Sequence, residues 1–174
     1  PSGSLLDYYL KYEWPLHDVL WQMERHGALL DQGALEKSYP TYEAELDRLS
    51  KEIARVSGKV INLRSPQQVY KLFYSSGQDG SWADDKGFPP HKMTSGGESG
   101  NAQPSVDEEV LEIRAAKGCQ TSSLLLEHRE IDKRLKDLKQ YITLADDNGR
   151  LHTTFNQHTA STGRISSSHP NLQN

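Results

Sequence analysis

The stretch LEKSYPTYEAELDRLSKEIARV, residues 35–56, places apolar side chains at Leu35, Tyr39, Tyr42, Leu46, Leu49, Ile53 and Val56. The intervals run 4, 3, 4, 3, 4, 3, the spacing of one narrow stripe along an α-helix. Asp31 can cap this helix and Gly58 ends it, while Pro40 should kink or interrupt it early on. A second seam of the same kind lies far downstream, at Leu124, His128, Ile131, Leu135, Leu138 and Ile142. Two long helices with narrow stripes bury them by pairing, and the long excursion between them favours an antiparallel pair. Two ordinary bundle helices fit this pattern equally well, and the seams by themselves require no function.

Smaller elements surround the pair. PLHDVLWQMERHG (15–27) reads as a helix with Pro15 in its first turn, Leu16, Val19, Leu20 and Met23 on one face, and Gly27 as its stop. Ser65 to Gln68 and Ser105 to Glu108 each have the spacing of a capping box and open two further helices. Residues 75–104, rich in Gly, Ser and Pro, read as a tip loop that is either disordered or functional, and TSGGESG (94–100) as its flexible part. After a DDNG turn at 146–149, RLHTTFNQ alternates, with Leu151, Thr153 and Phe155 on one side of a strand. The fold class is mainly α: a long antiparallel helix pair with small tip helices, followed by a short β element.

Composition narrows the function. With 34% hydrophobic and 25% charged residues and a mean hydropathy of −0.76, the 174-residue chain is polar for a globule, which suggests an elongated shape or a piece of something larger. The absence of an initiator Met suggests a fragment boundary. No apolar run is long enough to span a membrane, and PSGSLLDYYLKYEW is no signal peptide. The single Cys119 has no internal partner, so a reducing, cytoplasm-like compartment is expected. Net charge is −4, yet residues 121–174 hold seven Lys/Arg against six Asp/Glu, so an acidic total leaves room for a nucleic-acid face.

The seven histidines show no metal-ligand spacing, His152 and His158 read as surface residues, and Asp146-Asp147 reads as turn chemistry. Neither a catalytic centre nor a metal site is visible. Arg129, Lys133, Arg134, Lys136 and Lys139 form either a solvated helix face, with Glu130–Arg134 and Asp132–Lys136 pairs, or a row of phosphate contacts.

The last stretch, TASTGRISSSHPNLQN (159–174), crowds side-chain donors around one cation: Ser166, Ser167, Ser168, Asn171, Gln173 and Asn174 beside Thr162-Gly163-Arg164. Such an array suits the DNA minor groove, where every base pair offers acceptors at purine N3 and pyrimidine O2 in nearly the same places. RLHTTFNQHTASTGRISSSHPNLQN (150–174) closely resembles the family A DNA polymerases, whose pattern is close to H-T-x-F-N-Q … T-G-R-L-S-S-x-x-P-N-L-Q-N. Upstream, WPLHDVLWQMERHGALLD, INLRSPQQVYKLF and GFPPHKMTSGGESGNAQPSVDEEVLE are similar to the family's thumb in consistent order; Ile165 stands where members usually have Leu.

The resemblance implies a lead-in at 1–13, a thumb at 14–145 with its flexible tip loop at 75–104, and the start of the palm at 146–174. It implies that Arg164 contacts the primer terminus from the minor groove, that Asn171 and Gln173 contact primer–template, and that Thr162 and Gly163 shape the turn. Ser167 and Asn174 join the same contact surface, and Lys136 and Lys139 fall near the family's thumb lysines. The partners implied are primer–template duplex, dNTP through the rest of the enzyme, and a complementary palm and fingers portion. The family's two palm aspartates, which bind paired Mg²⁺, belong to motifs absent from these residues. The chain alone is therefore expected to be inactive, as one half of a split polymerase or part of a longer one. The setting implied is the cytoplasm of a bacterial or phage-infected cell, or an organelle. A DNA-binding module without polymerase and a coiled-coil interaction protein are the rival readings.

Overall fold

The computed structural model describes residues 3–76, 82–84, 90–95 and 102–173, with backbone alone at 75, 76 and 82–84. The chain divides into two compact units, residues 1–39 with 136–174 and residues 40–135. Two long helices, α3 (Gln32–Ser57) and α6 (Gln120–Leu144), run through both.

In the unit of residues 40–135 the seam of α3 goes inward as its spacing demands. Leu49 and Ile53 are buried, with Tyr42, Leu46 and Val56 half-buried beside them. On α6, Nε2 of His128 meets Oγ of Ser50 at 3.2 Å, and Arg134 hydrogen-bonds the Tyr42 side chain. Rising numbers on one helix thus meet falling numbers on the other, so the two run antiparallel. The core forms where this pair meets the short helices: Ile53 and Leu125 pack with Val69, Tyr70, Phe73, Tyr74, Val106 and Leu111. These come from α4 (Pro66–Val69), the 3₁₀ turn Tyr70–Leu72, and α5 (Glu108–Ala116).

Several expectations are corrected here. Pro40 does not interrupt α3, which is continuous from Gln32 to Ser57. A proline there costs one backbone bond, and the stripe that follows it outweighs that loss. The buried set on α6 is Ser122, Leu125, His128, Asp132 and Leu135 rather than the 124–142 seam; His128 and Leu135 are shared, and Ile142 is exposed. The rotation follows from what α6 must cover. Leu125 fills the core beneath the short helices, and Asp132 receives Nε and NH2 of Arg64 at 2.9 and 2.5 Å.

Neither capping box forms as read. Ser65 makes no side-chain cap, and Gln68 Oε1 instead accepts the Asn62 N–H at 2.9 Å. At α5 the cap is Asp107, whose carboxylate accepts the Val110 N–H at 3.1 Å, while Ser105 accepts from Asp107. A charged carboxylate at a helix N-terminus outcompetes a hydroxyl, and Lys92, 2.7 Å away, holds the Asp107 carboxyl below the usual range.

Within 75–104 the described backbone carries an antiparallel ladder, β2 (Tyr74–Ser76) with β3 (Trp82–Asp84), and a bridge from Met93 to Pro104. The flexible stretch read at 94–100 lies outside the described residues from 96 on.

The other unit is built on a continuous helical run: α1 (Leu5–Tyr8), a π-helical turn (Tyr9–Glu13) and α2 (Trp14–His26). Pro15 sits in the first turn of α2, and Gly27 ends it with its N–H on Met23 O at 2.9 Å. Gly27 has φ +67°, and a Cβ there would lie 2.8 Å from the Leu151 carbonyl oxygen. Only glycine fits this corner. It leads into β1 (Ala28–Leu29), which pairs antiparallel with β4 (Arg150–Leu151). Asp31 then caps α3 through the Ala34 N–H at 2.9 Å. No described helix is long and apolar enough to cross a membrane.

Candidate nucleic-acid interface

The carboxy-terminal donors are carried by a small hairpin. β5 (Thr154–Asn156) pairs antiparallel with β6 (Ser166–Ser168), matching Thr154 to Ser168 and Asn156 to Ser166. Alternation along 151–155 is as read: Leu151 and Thr153 are buried, His152 and Thr154 exposed, and Phe155 half-buried. Between the strands the chain turns through Thr162 and Gly163. The Gly163 N–H bonds the Ala160 carbonyl at 3.0 Å, φ is +71°, and nothing lies within reach of a Cβ placed there. The turn therefore needs glycine for its backbone conformation, and the space above it is open. Arg164 follows, exposed.

After β6 the chain doubles back through His169, at φ +57°, and a cis peptide to Pro170. Ser167, only 6% exposed, ties this loop together. Its hydroxyl donates to Asn171 Oδ1 at 3.2 Å and accepts the Leu172 N–H at 3.0 Å. Asn171 Oδ1 also accepts the Gln173 N–H at 2.9 Å. Asn171 Oδ1 is thus engaged twice, and the side-chain NH₂ of this exposed residue is its remaining donor group. Asn171 and Gln173 are exposed, and Asn174 lies outside the described residues.

Two residues that carry no donor outward organise this loop, and the sequence pattern did not single them out for it. Thr153, buried, donates through Oγ1 to the carbonyls of Ser168 at 3.1 Å and Pro170 at 2.6 Å. Tyr141, near the end of α6, donates to the Asn171 carbonyl at 3.0 Å. Burial pushes the Tyr141 hydroxyl above its ordinary value, so it stays protonated as a donor. The only available signal was the alternation that put Thr153 on an inward face.

The hairpin is pinned to the helical run by the side chains of Glu13, at the end of the π-helical turn, and Glu24, in α2. Glu24 accepts the Phe155 N–H at 2.6 Å, and Gln157 donates to the Glu13 carboxylate. His152 donates from Nδ1 to the Glu24 carbonyl at 2.7 Å, and its Nε2 lies 3.2 Å from Asp146. The Glu24 carbonyl, and secondarily Asp146, raise the His152 pKa above its ordinary value. Asp146 does the turn chemistry read from sequence, accepting the N–H groups of Arg150 and Asn148 at 2.7 and 2.9 Å; the Arg150 N–H, then His152, hold its pKa low.

Along α6 the basic residues separate. Arg129 turns inward, half-buried, donating to the Val106 carbonyl at 2.6 Å, and burial lowers its pKa. Arg134 forms the expected pair with Glu130 at 2.5 Å. Lys133, Lys136 and Lys139 are exposed. Among the described residues no three His, Cys, Asp or Glu side chains come together to hold a metal ion.

Residues 32–174 match the family model described as DNA polymerase family A. The chain belongs to that family. It is 35% identical over 179 aligned residues to the thermostable DNA polymerase I of Thermus filiformis, covering 99% of this chain and 19% of that protein. The DNA polymerase I of Pseudomonas aeruginosa is 32% identical, with 93% of this chain and 16% of that protein covered. Among solved structures, the POL domain of Pol1 from M. smegmatis, in complex with DNA primer-template and dNTP, superposes with a TM-score of 0.68 at 28% identity. That match covers 93% of this chain and 26% of the other. This family A chain thus spans under a fifth of the length of these two curated relatives.

Proposed function

We propose that the chain is part of a family A DNA polymerase core, with residues 14–145 as thumb and 146–174 as the start of the palm, and that it holds primer–template duplex during template-directed synthesis. The observation that carries this reading is the Thr162–Gln173 loop. Its exposed donors stand on a buried lattice of Thr153, Ser167 and Tyr141, inside the segment that matches the family.

A duplex edge reader needs donors fixed before DNA arrives, because ordering them on binding would cost conformational entropy. Arg164 and the Asn171 amide supply donors to purine N3 and pyrimidine O2, acceptors common to all correct pairs. Gln173 and Thr162 extend the contact, and open Gly163 lets the backbone approach. Ser167, taken from sequence as a contact, acts instead by holding Asn171, since its hydroxyl is buried and engaged on both sides. Lys136 and Lys139 contact phosphates and carry no sequence information. The two-metal chemistry of the family, which aligns the primer hydroxyl with the incoming nucleotide, would be supplied by acids outside residues 1–174. The setting proposed is the bacterial cytoplasm.

Primer extension tests the reading. The chain is combined with a palm–fingers polypeptide bearing the family aspartates and assayed on a primed template with Mg²⁺. Restored synthesis that disappears in Arg164→Ala is the expected result. Duplex binding that never yields extension would favour a DNA-binding module, and no DNA binding would favour a coiled-coil protein.

A further inference from the structure

Wherever the described backbone takes a positive φ it uses glycine, at Gly27, Gly58, Gly118, Gly149 and Gly163, with one exception. His169 holds φ +57°. That conformation strains an L-residue and leaves glycine unstrained. Histidine tolerates it better than most residues, which lowers the strain without removing it. The turn itself is fixed by its neighbours. The carbonyls of Ser168 and Pro170, on either side of His169, converge on the one hydroxyl of Thr153 at 3.1 and 2.6 Å. Ser167 and Pro170 are buried, so the chain is held before and after the turn. None of these ties uses the imidazole, which is exposed and has no hydrogen bond or ion pair among the described residues. The fold therefore requires a left-handed residue at 169 but does not require this ring. A side chain retained against local backbone preference, within a contact loop, points to function.

We propose that His169 is a further primer–template contact, its imidazole donating to a backbone phosphate beside the primer end. The inference rests on the duplex reading above and adds a residue to it. Arg164, five residues back, and Asn171, two residues on, are exposed on the same loop. Strand β6 lies between Arg164 and His169, and its three residues span about 10 Å. The minor groove is about 6 Å wide, so a guanidinium seated in it leaves the ring at its wall, where the phosphates stand. Charge favours an anion there. Residues 148–174 contain no Asp or Glu, and the acids that reach the hairpin, Glu13 and Glu24, are engaged with Gln157 and the Phe155 N–H. An imidazole carries an N–H donor in either protonation state, so the contact does not depend on gaining a proton.

The test compares the full chain with His169→Gly, which keeps the turn and removes the ring. Melting temperature and affinity for a primed duplex are measured for both. A melting temperature equal to or above that of the unaltered chain, with affinity lowered about tenfold, is expected. Duplex with methylphosphonate linkages in both strands near the primer end lacks the charged phosphate oxygen, and the two proteins should bind it alike. On 3-deazapurine duplex, which keeps its phosphates, the tenfold gap should remain. A lower melting temperature would make the ring part of the fold and overturn the proposal. Equal affinity for the natural duplex would overturn it too, as would a gap that survives methylphosphonate substitution or closes on the 3-deazapurine duplex. In each of these cases, weaker binding by Arg164→Ala leaves the polymerase reading standing. No duplex binding by the unaltered chain overturns both.

Discussion

At the scale of single residues, the donor loop is set by groups that never face outward. Thr153 is the clearest case: one hydroxyl proton is shared between two carbonyls, those of Ser168 and Pro170, at a position almost closed to solvent. Replacing it with Val keeps the shape and removes the donor, leaving buried acceptors unpaired. Thr153→Val is expected to lower unfolding stability by about 1–3 kcal/mol in urea titrations. An unchanged midpoint would mean that the loop does not depend on this bond. Arg164, Asn171 and Gln173 stand out in the sequence because their residue types suit the chemistry of a groove edge, and the structure leaves all three exposed. Ser167 was legible only as a hydroxyl; its inward direction depends on where the chain returns after Pro170, which no local pattern encodes.

At the scale of elements, the fold rests on short polar ties as much as on stripes. His152 joins the end of α2 to the 146–149 turn through the Glu24 carbonyl and Asp146. Its folded pKa lies above the ordinary 6.5, so the stabilisation from the protonated ring is complete below about 6.5 and is lost as pH rises through the raised value. Thermal midpoints are therefore expected to fall as pH rises from 6.5 through the raised value, and to fall less in His152→Gln. A profile that is the same in both proteins would remove His152 from the tie. The seam of α3 was readable because its seven apolar positions have a single helical solution, and the structure turns its central positions inward. The seam of α6 was misread by about one residue. Its buried face includes Ser122, His128 and Asp132, polar groups whose inward placement is set by partners as distant as Arg64. Periodicity sees apolar residues; it does not see a carboxylate drawn inward by a guanidinium 68 residues away.

At the scale of the whole molecule, the account divides binding into two kinds of interaction. In the function proposed above, Lys136 and Lys139 are assigned to phosphates and the Thr162–Gln173 loop to base-pair edges. Truncating both lysines is expected to weaken duplex binding equally across sequences and to lower the salt slope by about 2, near 0.9 for each phosphate no longer neutralised. An unchanged slope would remove them from the phosphate backbone. The edge interaction is reached by changing single DNA atoms. Duplex affinity is measured with 3-deazapurines, which lack the minor-groove N3 acceptor, and with 7-deazapurines, which lack the major-groove N7, placed at the primer-terminal pairs. The account predicts that only the 3-deaza duplexes bind more weakly, and that Arg164→Ala erases the difference. Equal affinity for the two modified duplexes would contradict it.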